Sequence, residues 1–101
     1  MKVFISQPMN GNTNNEIKAV RAEITEKLRK RYGTQEPVEV INSFFEDAPH
    51  DAKPLWFLGK SLEMLSTADV AYFAKGWDEA RGCTIEYDCA IKYGIPVVVE
   101  I

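Results

Sequence analysis

The chain has 101 residues, a formal net charge of −3 and 46% hydrophobic residues. This length predicts a single domain over residues 1–101, and the apolar content is enough for a buried core. Basic and acidic residues are mixed along the chain, so nothing favours binding to a nucleic-acid polymer. No apolar run is long enough to cross a bilayer, and no signal-peptide pattern is present, which predicts a cytoplasmic protein without a membrane partner.

The cysteine and histidine content argues against a metal site. Cys83 and Cys89 are six residues apart in one predicted helix, where they face different directions and cannot bind one metal ion together. His50 is the only histidine. We therefore expect reduced thiols, no metal ion and no organic cofactor.

The first half of the chain predicts a strand, a helix and a second strand. Lys2 to Ser6 is typical of a strand, and Thr13 followed by Glu16 predicts a capping box at the start of the helix. Gly33 suits a left-handed position just after that helix, and residues 38–41 predict the next strand. Spacings of three and four give the helix an apolar stripe made of Ile17, Val20, Ile24 and Leu28.

The second half repeats this alternation. A loop over residues 42–53 precedes a helix that begins near Pro54, and strands are predicted over residues 68–73 and 95–99. Between these strands lie a glycine-rich turn and a helix from about Cys83 to Tyr93, which stops at Gly94. The buried face of the helix at Pro54 is predicted to consist of Leu55, Leu58, Leu62 and Leu65.

Alternating strands and helices predict an α/β fold, with a parallel sheet of about four strands and helices on both faces. In such a sheet, the loops that follow the strands open on one edge, and ligands bind there. These loops are residues 7–12, 42–53 and 74–82. Any active site is expected at this edge.

Glu86 is the leading catalytic candidate, because it lies in the first part of the helix that follows the third of these loops. A carboxylate there can attack an anomeric carbon and hold a covalent glycosyl intermediate. The alternative is an acid that merely favours the helix dipole. Asp78 is a candidate second carboxylate in the same turn.

Several other residues at this edge are candidates for substrate binding. The segment from Ser6 to Gly11 can present amides and polar side chains to a sugar or phosphate, although a simple turn is the alternative. It lacks the glycine pattern of a dinucleotide-binding loop and the Gly-Lys-Ser/Thr of a P-loop. Arg81 can pair with a phosphate or orient Glu86, or be solvated. Aromatic rings can sandwich a base or simply pack. The binding candidates are Ser6, Gln7, Pro8, Met9, Asn10, Gly11, Phe45, Ser61, Gly76, Trp77, Arg81 and Gly82.

Three segments, MKVFISQPMNG, LGKSLEMLSTADVAYFAKGW and ARGCTIEYDCAIKYGIPVVV, together resemble the nucleoside 2-deoxyribosyltransferase-like superfamily. The resemblance is closest to its small phage and bacterial branch, and it covers essentially the whole chain. Its most specific part is the G-x-x-x-E element from Gly82 to Glu86, followed by Ala90. The resemblance implies a Rossmann-like or flavodoxin-like three-layer sandwich.

The resemblance also implies an activity, which is cleavage or transfer at the N-glycosidic bond of a 2′-deoxynucleoside or its 5′-monophosphate. Glu86 would be the nucleophile, and the Ser6–Gly11 loop would hold the sugar and base or the 5′-phosphate. The chain departs from the family at three positions. Ser61 and Ala80 stand where the transferases carry aspartate, and Asp88 stands where glycine is usual.

Three function classes follow from these observations. The enzyme hypothesis rests on Glu86 and Arg81, whereas Ser61 and Ala80 favour an inactive nucleotide-binding or sensing module. A structural interaction protein is the third possibility. In each case the expected partner is a small nucleoside or nucleotide, or a second copy of the chain, since uncovered sheet edges and an aromatic-rich second helix predict a homo-oligomer.

Overall fold

The computed structural model describes residues 1–100, so Ile101, the last residue of the expected domain, lies outside the described part. Four strands alternate with three α-helices, and a short 3-10 helix, Trp77–Glu79, precedes the last α-helix. The strands are β1 (Lys2–Ser6), β2 (Glu39–Val40), β3 (Val70–Phe73) and β4 (Val97–Val99). The helices are α1 (Asn14–Tyr32), α2 (Pro54–Leu65) and α3 (Arg81–Lys92).

All strand pairs are parallel, and the order across the sheet is β2-β1-β3-β4. The predicted α/β fold class is thereby confirmed. Val3 pairs with Val40 on one side and with Val70 on the other, so β1 is central. The strand that follows β1 in the chain, β2, pairs on one side of β1, and the next strand, β3, pairs on its other side. The topological switch point therefore lies between the carboxyl ends of β1 and β3, where open α/β sheets bind ligands.

Alternating side chains of the sheet bury its two faces against different helices. Val3 and Ile5 point to the face covered by α1, in one cluster with Ile24 and Leu28. Phe4, Ala71 and Phe73 point to the opposite face, where Leu65 of α2 and Ala90 of α3 join them. Because successive strand residues face opposite ways, one apolar strand serves both cores and three layers result.

Helix α1 begins as predicted, but two details of its prediction are wrong. Both capping-box bonds are present, from Glu16 N to Thr13 Oγ1 at 3.1 Å and from Thr13 N to Glu16 Oε1 at 2.8 Å. Gly33 is right-handed, with φ −68°, and not left-handed. Its position demands glycine for another reason, since a Cβ would lie 2.4 Å from the Arg29 carbonyl oxygen. Val20, expected in the buried stripe, is 40% exposed.

The segment around α3 follows its predicted order with shifted boundaries. Gly76, at φ +88°, allows the chain to enter the 3-10 helix, and α3 then begins at Arg81, two residues before the predicted start. At the other end, Gly94 adopts φ +73°. Gly94 N donates to Ile91 O and Ile95 N donates to Ala90 O, at 3.3 and 2.9 Å. This is the Schellman arrangement, which satisfies the last carbonyls of the helix.

Helix α2 begins at Pro54 as predicted, but its buried face is smaller than expected. Leu65 is 2% exposed, whereas Leu55 is 75% exposed, so the assignment of Leu55 to the buried face is wrong. Leu58 and Leu62 are half-buried. Leu55 and Phe57 thus leave apolar surface exposed near the start of α2. None of the described helices is long and apolar enough to cross a membrane.

Leu65 and Leu55 form a matched pair for a stability test within one helix. Leu65→Ala should lower the free energy of unfolding by about 2–5 kcal/mol, because it leaves a cavity between α2 and the sheet. Leu55→Ala should change it by at most about 0.5 kcal/mol, because the side chain is already in contact with water. Urea denaturation of both variants at several protein concentrations measures this. A large, concentration-dependent loss for Leu55→Ala would instead indicate that a second copy covers this surface.

Candidate active site

The carboxyl edge of the sheet collects the buried polar residues of the chain. Among the described residues, the polar or charged side chains that are buried are Ser6, Gln7, Ser43 and Glu86. Ser6 and Gln7 end β1 and begin its loop, Ser43 follows β2, and Glu86 comes from α3. Four buried polar groups in one place are unusual for so small a core, since each must recover the hydrogen bonds that it loses to water.

Glu86 is the centre of this group. Its side chain is 7% exposed, and its Oε1 accepts a hydrogen bond of 2.7 Å from the Ser6 hydroxyl. Burial raises the pKa of Glu86 above its ordinary value of 4.5, while the hydroxyls of Ser6 and Ser61 and the charge of Arg21 pull that pKa down. Burial therefore disfavours the charged form of the carboxylate, whereas the neighbouring hydroxyls and the positive charge favour it.

Ser61 reaches the site from α2, close enough to Glu86 for its hydroxyl to act on the carboxylate. Cys83 lies one turn before Glu86 on α3 and is buried. Burial raises the pKa of the Cys83 thiol to about 11, so the thiol is neutral and unreactive near pH 7. Residues from β1, α1, α2 and α3 thus converge on one carboxylate.

Arg21 of α1 ties the ends of two strands together. Its Nη1 donates to Gln7 Oε1 at 3.0 Å, and its Nη2 donates to Ile41 O at 3.2 Å and to Ser43 Oγ at 3.0 Å. Ser43 in turn donates to Ile5 O at 3.3 Å. Burial lowers the pKa of Arg21, but a guanidinium remains charged at any physiological pH. Arg21 is also the cation whose charge lowers the pKa of Glu86.

The loop after β1 is ordered by its own hydrogen bonds. Gln7 is fully engaged, because its Nε2 donates to Ile17 O at 3.3 Å and its Oε1 accepts from Arg21. The Asn12 backbone N donates to Met9 O at 3.1 Å, and Asn12 Nδ2 donates to Pro8 O at 3.3 Å. Pro8 and Met9 are half-buried, whereas Asn10 and Gly11 are exposed. The groups that this loop offers to a ligand are therefore those of residues 8–11.

The turn before α3 lies against this first loop. A Cβ on Gly76 would lie 3.4 Å from Pro8 Cγ, so the two loops meet at the switch point. Trp77 stacks on Tyr87, with ring centroids 4.5 Å apart, and meets Phe73 edge-on at 5.5 Å. These contacts anchor the Trp77 ring. Asp78 and Arg81 are exposed, and Gly82 is half-buried in the first turn of α3.

Phe45 lies in a different part of the same edge. It packs edge-on against Trp56 with a centroid distance of 6.1 Å, and both rings line a cavity of about 210 Å³ in the loop between β2 and α2. The other lining residues are Asn42, Phe44, Glu46, Asp47 and Ala48. A base-binding role for Phe45 stays a prediction, as do the other assigned roles at this edge.

Arg21 and Ser43 are the residues of this network that the sequence predictions missed. Arg21 lies four residues after Ile17 and three before Ile24, which places it on the buried face of α1. The apolar stripe was instead drawn through Val20. A charged residue at a core-facing position of an amphipathic helix is the signal that could have identified Arg21, because such a residue needs a buried partner.

No group of three or more histidine, cysteine or acidic side chains among residues 1–100 is arranged to hold a metal ion. The hydrogen-bonded network at this edge combines the carboxylate of Glu86, the hydroxyls of three serines and the guanidinium of Arg21. Such a set can bind a polyhydroxylated or anionic ligand and can present an oxygen nucleophile to it.

Replacement of Glu86 tests whether the charge of this buried carboxylate destabilises the folded protein. A carboxyl with a raised folded-state pKa binds its proton more tightly when folded, so stability falls as pH rises from 4.5 through that pKa. Glu86→Gln keeps an acceptor for Ser6 and removes the charge, so it should raise the urea midpoint at pH 7 and have a smaller effect at pH 4. Glu79→Gln, at an exposed site in the preceding turn, is the matched control. A lower midpoint at pH 7 for Glu86→Gln would contradict the expectation.

The chain aligns with the crystal structure of a conserved protein from Enterococcus faecalis V583 at a TM-score of 0.70 and 18% identity, over 98% of this chain and 62% of that one. It aligns with a 2-deoxyribosyltransferase from Bacillus psychrosaccharolyticus at a TM-score of 0.63 and 17% identity, over 98% of this chain and 71% of that one. No curated protein matches the sequence.

These likenesses concern the fold, since sequence identity is low in both. The chain spans only 62% of the Enterococcus protein, so that protein contains further residues without a counterpart here. The model of a domain of unknown function, DUF4406, matches residues 1–99. The protein therefore belongs to the DUF4406 family, and its fold is that of a nucleoside 2-deoxyribosyltransferase-like protein.

Proposed function

We propose that the protein cleaves or transfers the N-glycosidic bond of a 2′-deoxynucleoside or its 5′-monophosphate. The observation that carries this proposal is the position of Glu86. It is the one buried carboxylate among residues 1–100, and it lies at the switch point of a parallel sheet with a hydroxyl fixed on it. The 2-deoxyribosyltransferase of the same fold supports the choice of reaction.

The proposed reaction has two displacement steps at C1′ of the sugar. A Glu86 oxygen attacks C1′, the C1′–N bond breaks, and the base leaves with the bonding electrons and takes up a proton. Water or a second base then attacks C1′ and gives up a proton to the group that protonated the first base, the ester to Glu86 breaks, and the carboxylate is restored. Because C1′ carries positive charge in both transition states, a fixed anion stabilises them as well as acting as nucleophile.

The surroundings of Glu86 suit both roles. The Ser6 hydroxyl holds Oε1 in one orientation, and partial exclusion of water strengthens the interaction between the carboxylate and the cationic transition state. In this proposal Asp78 supplies the proton for the leaving base. Asp88, another acid near the site in sequence, is instead paired with Lys92 at 3.0 Å on the surface of α3.

The substrate would lie between the loops after β1 and β3. Residues 8–11 and Gly76 would contact the sugar and base, and the amides of Arg81 and Gly82 at the start of α3, together with the Arg81 guanidinium, would face a 5′-phosphate when one is present. Ser6, Gln7 and Ser61 would shape the floor of the site. Trp77 and Phe45 would offer ring surfaces to the base.

A second function is favoured by a specific observation. Ser61 and Ala80 replace the aspartates of the transferases, and Asp78 is exposed, so the supply of a proton to the base is weaker here. A module that binds a nucleotide without cleaving it would keep the same edge and the same Glu86. In either case the partner is a small nucleoside or nucleotide, and the exposed apolar residues of α2 support self-association.

Release of free base distinguishes these two functions. Wild type, Glu86→Ala and the control Glu26→Ala, exposed on α1, would be incubated with deoxynucleosides and their 5′-monophosphates, with and without an acceptor base. We expect base release in the wild type and the control and a loss of at least about 10³-fold in Glu86→Ala, because the nucleophile is absent. Dependence on the acceptor base separates transferase from hydrolase.

A protein that binds a nucleotide without cleaving it would release no free base in this assay. Calorimetry would then detect a nucleotide that stays intact for hours with the wild type. Base release that persists in Glu86→Ala would reject Glu86 as the nucleophile. For an active wild type, kcat/KM should rise with pH through a pKa above 4.5, since only the ionised Glu86 attacks.

A further inference from the structure

The contacts of Arg21 go beyond those of an ordinary half-buried ion. One guanidinium bridges the loop after β1, through Gln7 Oε1, and the end of β2, through Ile41 O and Ser43 Oγ, with three bonds of 3.0–3.2 Å. Gln7 is then fixed at its other end by Ile17 O, back on α1. The backbone that leaves β1 at the switch point is thus clamped to α1 and β2.

Only arginine has the shape for these contacts. A planar fork of five donors can serve acceptors on two strands at once, whereas a lysine ammonium on a flexible stem reaches one or two of them without fixing their relative position. Ser6, which holds Glu86 Oε1, is the residue immediately before Gln7. Any shift of Gln7 therefore moves the hydroxyl that orients the carboxylate.

Arg21 also acts on Glu86 through space. The ion pairs within 4.0 Å that the described residues form do not include this pair, so the effect of Arg21 on the pKa of Glu86 is exerted over a longer distance. The groups around Glu86 are Ser6 from β1, Arg21 from α1, Ser61 from α2 and Cys83 from α3. The two hydroxyls and the thiol are neutral near pH 7, so Arg21 alone offsets the burial of this carboxylate with a charge.

We propose that Arg21 is a positioning residue of the active site, which fixes the loop after β1 for catalysis and supplies the positive charge that keeps buried Glu86 ionised. This inference rests on the proposed function for its kinetic consequence, but its effect on Glu86 is independent of turnover. A purely structural role would predict a loss of stability alone. The positioning role predicts changes in the titration of one specific carboxyl.

The first experiment measures Glu86 directly. The protein is labelled with glutamate carrying ¹³C at the side-chain carboxyl, the Glu86 signal is assigned with Glu86→Gln, and its chemical shift is followed against pH. Arg21→Met should move the titration of Glu86 to higher pH, and Arg21→Gln, which keeps a donor for Gln7, should do the same. Arg29→Met removes the same charge from an exposed site on α1 and should leave the titration unchanged.

The second experiment separates charge from geometry. Arg21→Lys keeps the charge, so Glu86 should titrate close to the wild type, but the fork is lost, and kcat/KM for base release should fall about 10- to 100-fold through misplacement of the loop. Circular dichroism confirms the folded state of each variant, and Arg21→Lys and Arg21→Gln keep the test informative if Arg21→Met does not fold.

Each half of the proposal has a result that overturns it. A Glu86 titration in Arg21→Met or Arg21→Gln that superimposes on the wild-type curve rejects the electrostatic role. Wild-type kcat/KM in Arg21→Lys rejects the positional role. If the wild type releases no base from any substrate, the proposed function fails, and the titration of Glu86 still decides whether Arg21 controls its charge.

Discussion

The burial of one carboxylate at the switch point is the constraint on which the edge of this structure depends. Removing Glu86 from water is costly, and its raised pKa is the sign of that cost. Each neighbouring element contributes to offset it: a hydroxyl at the end of β1, a second hydroxyl from α2 and a guanidinium from α1. An apolar side chain at this position would avoid the cost of burying a charge, and this is why the network carries the proposal of a functional site.

Much of the fold could be predicted from local patterns, because helix ends are determined by interactions between residues that are close in sequence. The Thr13–Glu16 capping box and the stop at Gly94 are satisfied by nearby backbone groups, and both are present. The predictions that failed depend on details of backbone conformation and tertiary packing that these patterns do not specify. Gly33 needs no left-handed conformation but must avoid the Arg29 carbonyl, and Leu55 is 75% exposed although it continues the apolar spacing of α2.

The residues of the candidate site also differ in how readily the sequence predicts them. Glu86 could be found because glycine, arginine and a carboxylate lie close together in one crossover turn, at a place that the strand order defines. Arg21 could not be found by proximity in sequence, because its partners Gln7 and Ser43 lie 14 and 22 residues away. Arg81, the arginine nearest to Glu86 in sequence, is exposed, whereas the arginine that acts on Glu86 comes from the other side of the sheet.

The origin of the positive charge also bears on how this chain relates to proteins of the same fold. At 17–18% identity a shared fold leaves the chemistry open, because folds of this type carry many functions and only the site decides among them. With Ser61 and Ala80 in place of acidic residues, the site holds fewer negative charges around its carboxylate. Arg21 is then the charge that opposes the effect of burial, because it lowers a Glu86 pKa that burial raises. Under the proposed function, a nucleophile is retained while the acid that serves the leaving base changes position, so protonation of the base would be the step at which this protein differs most from a transferase.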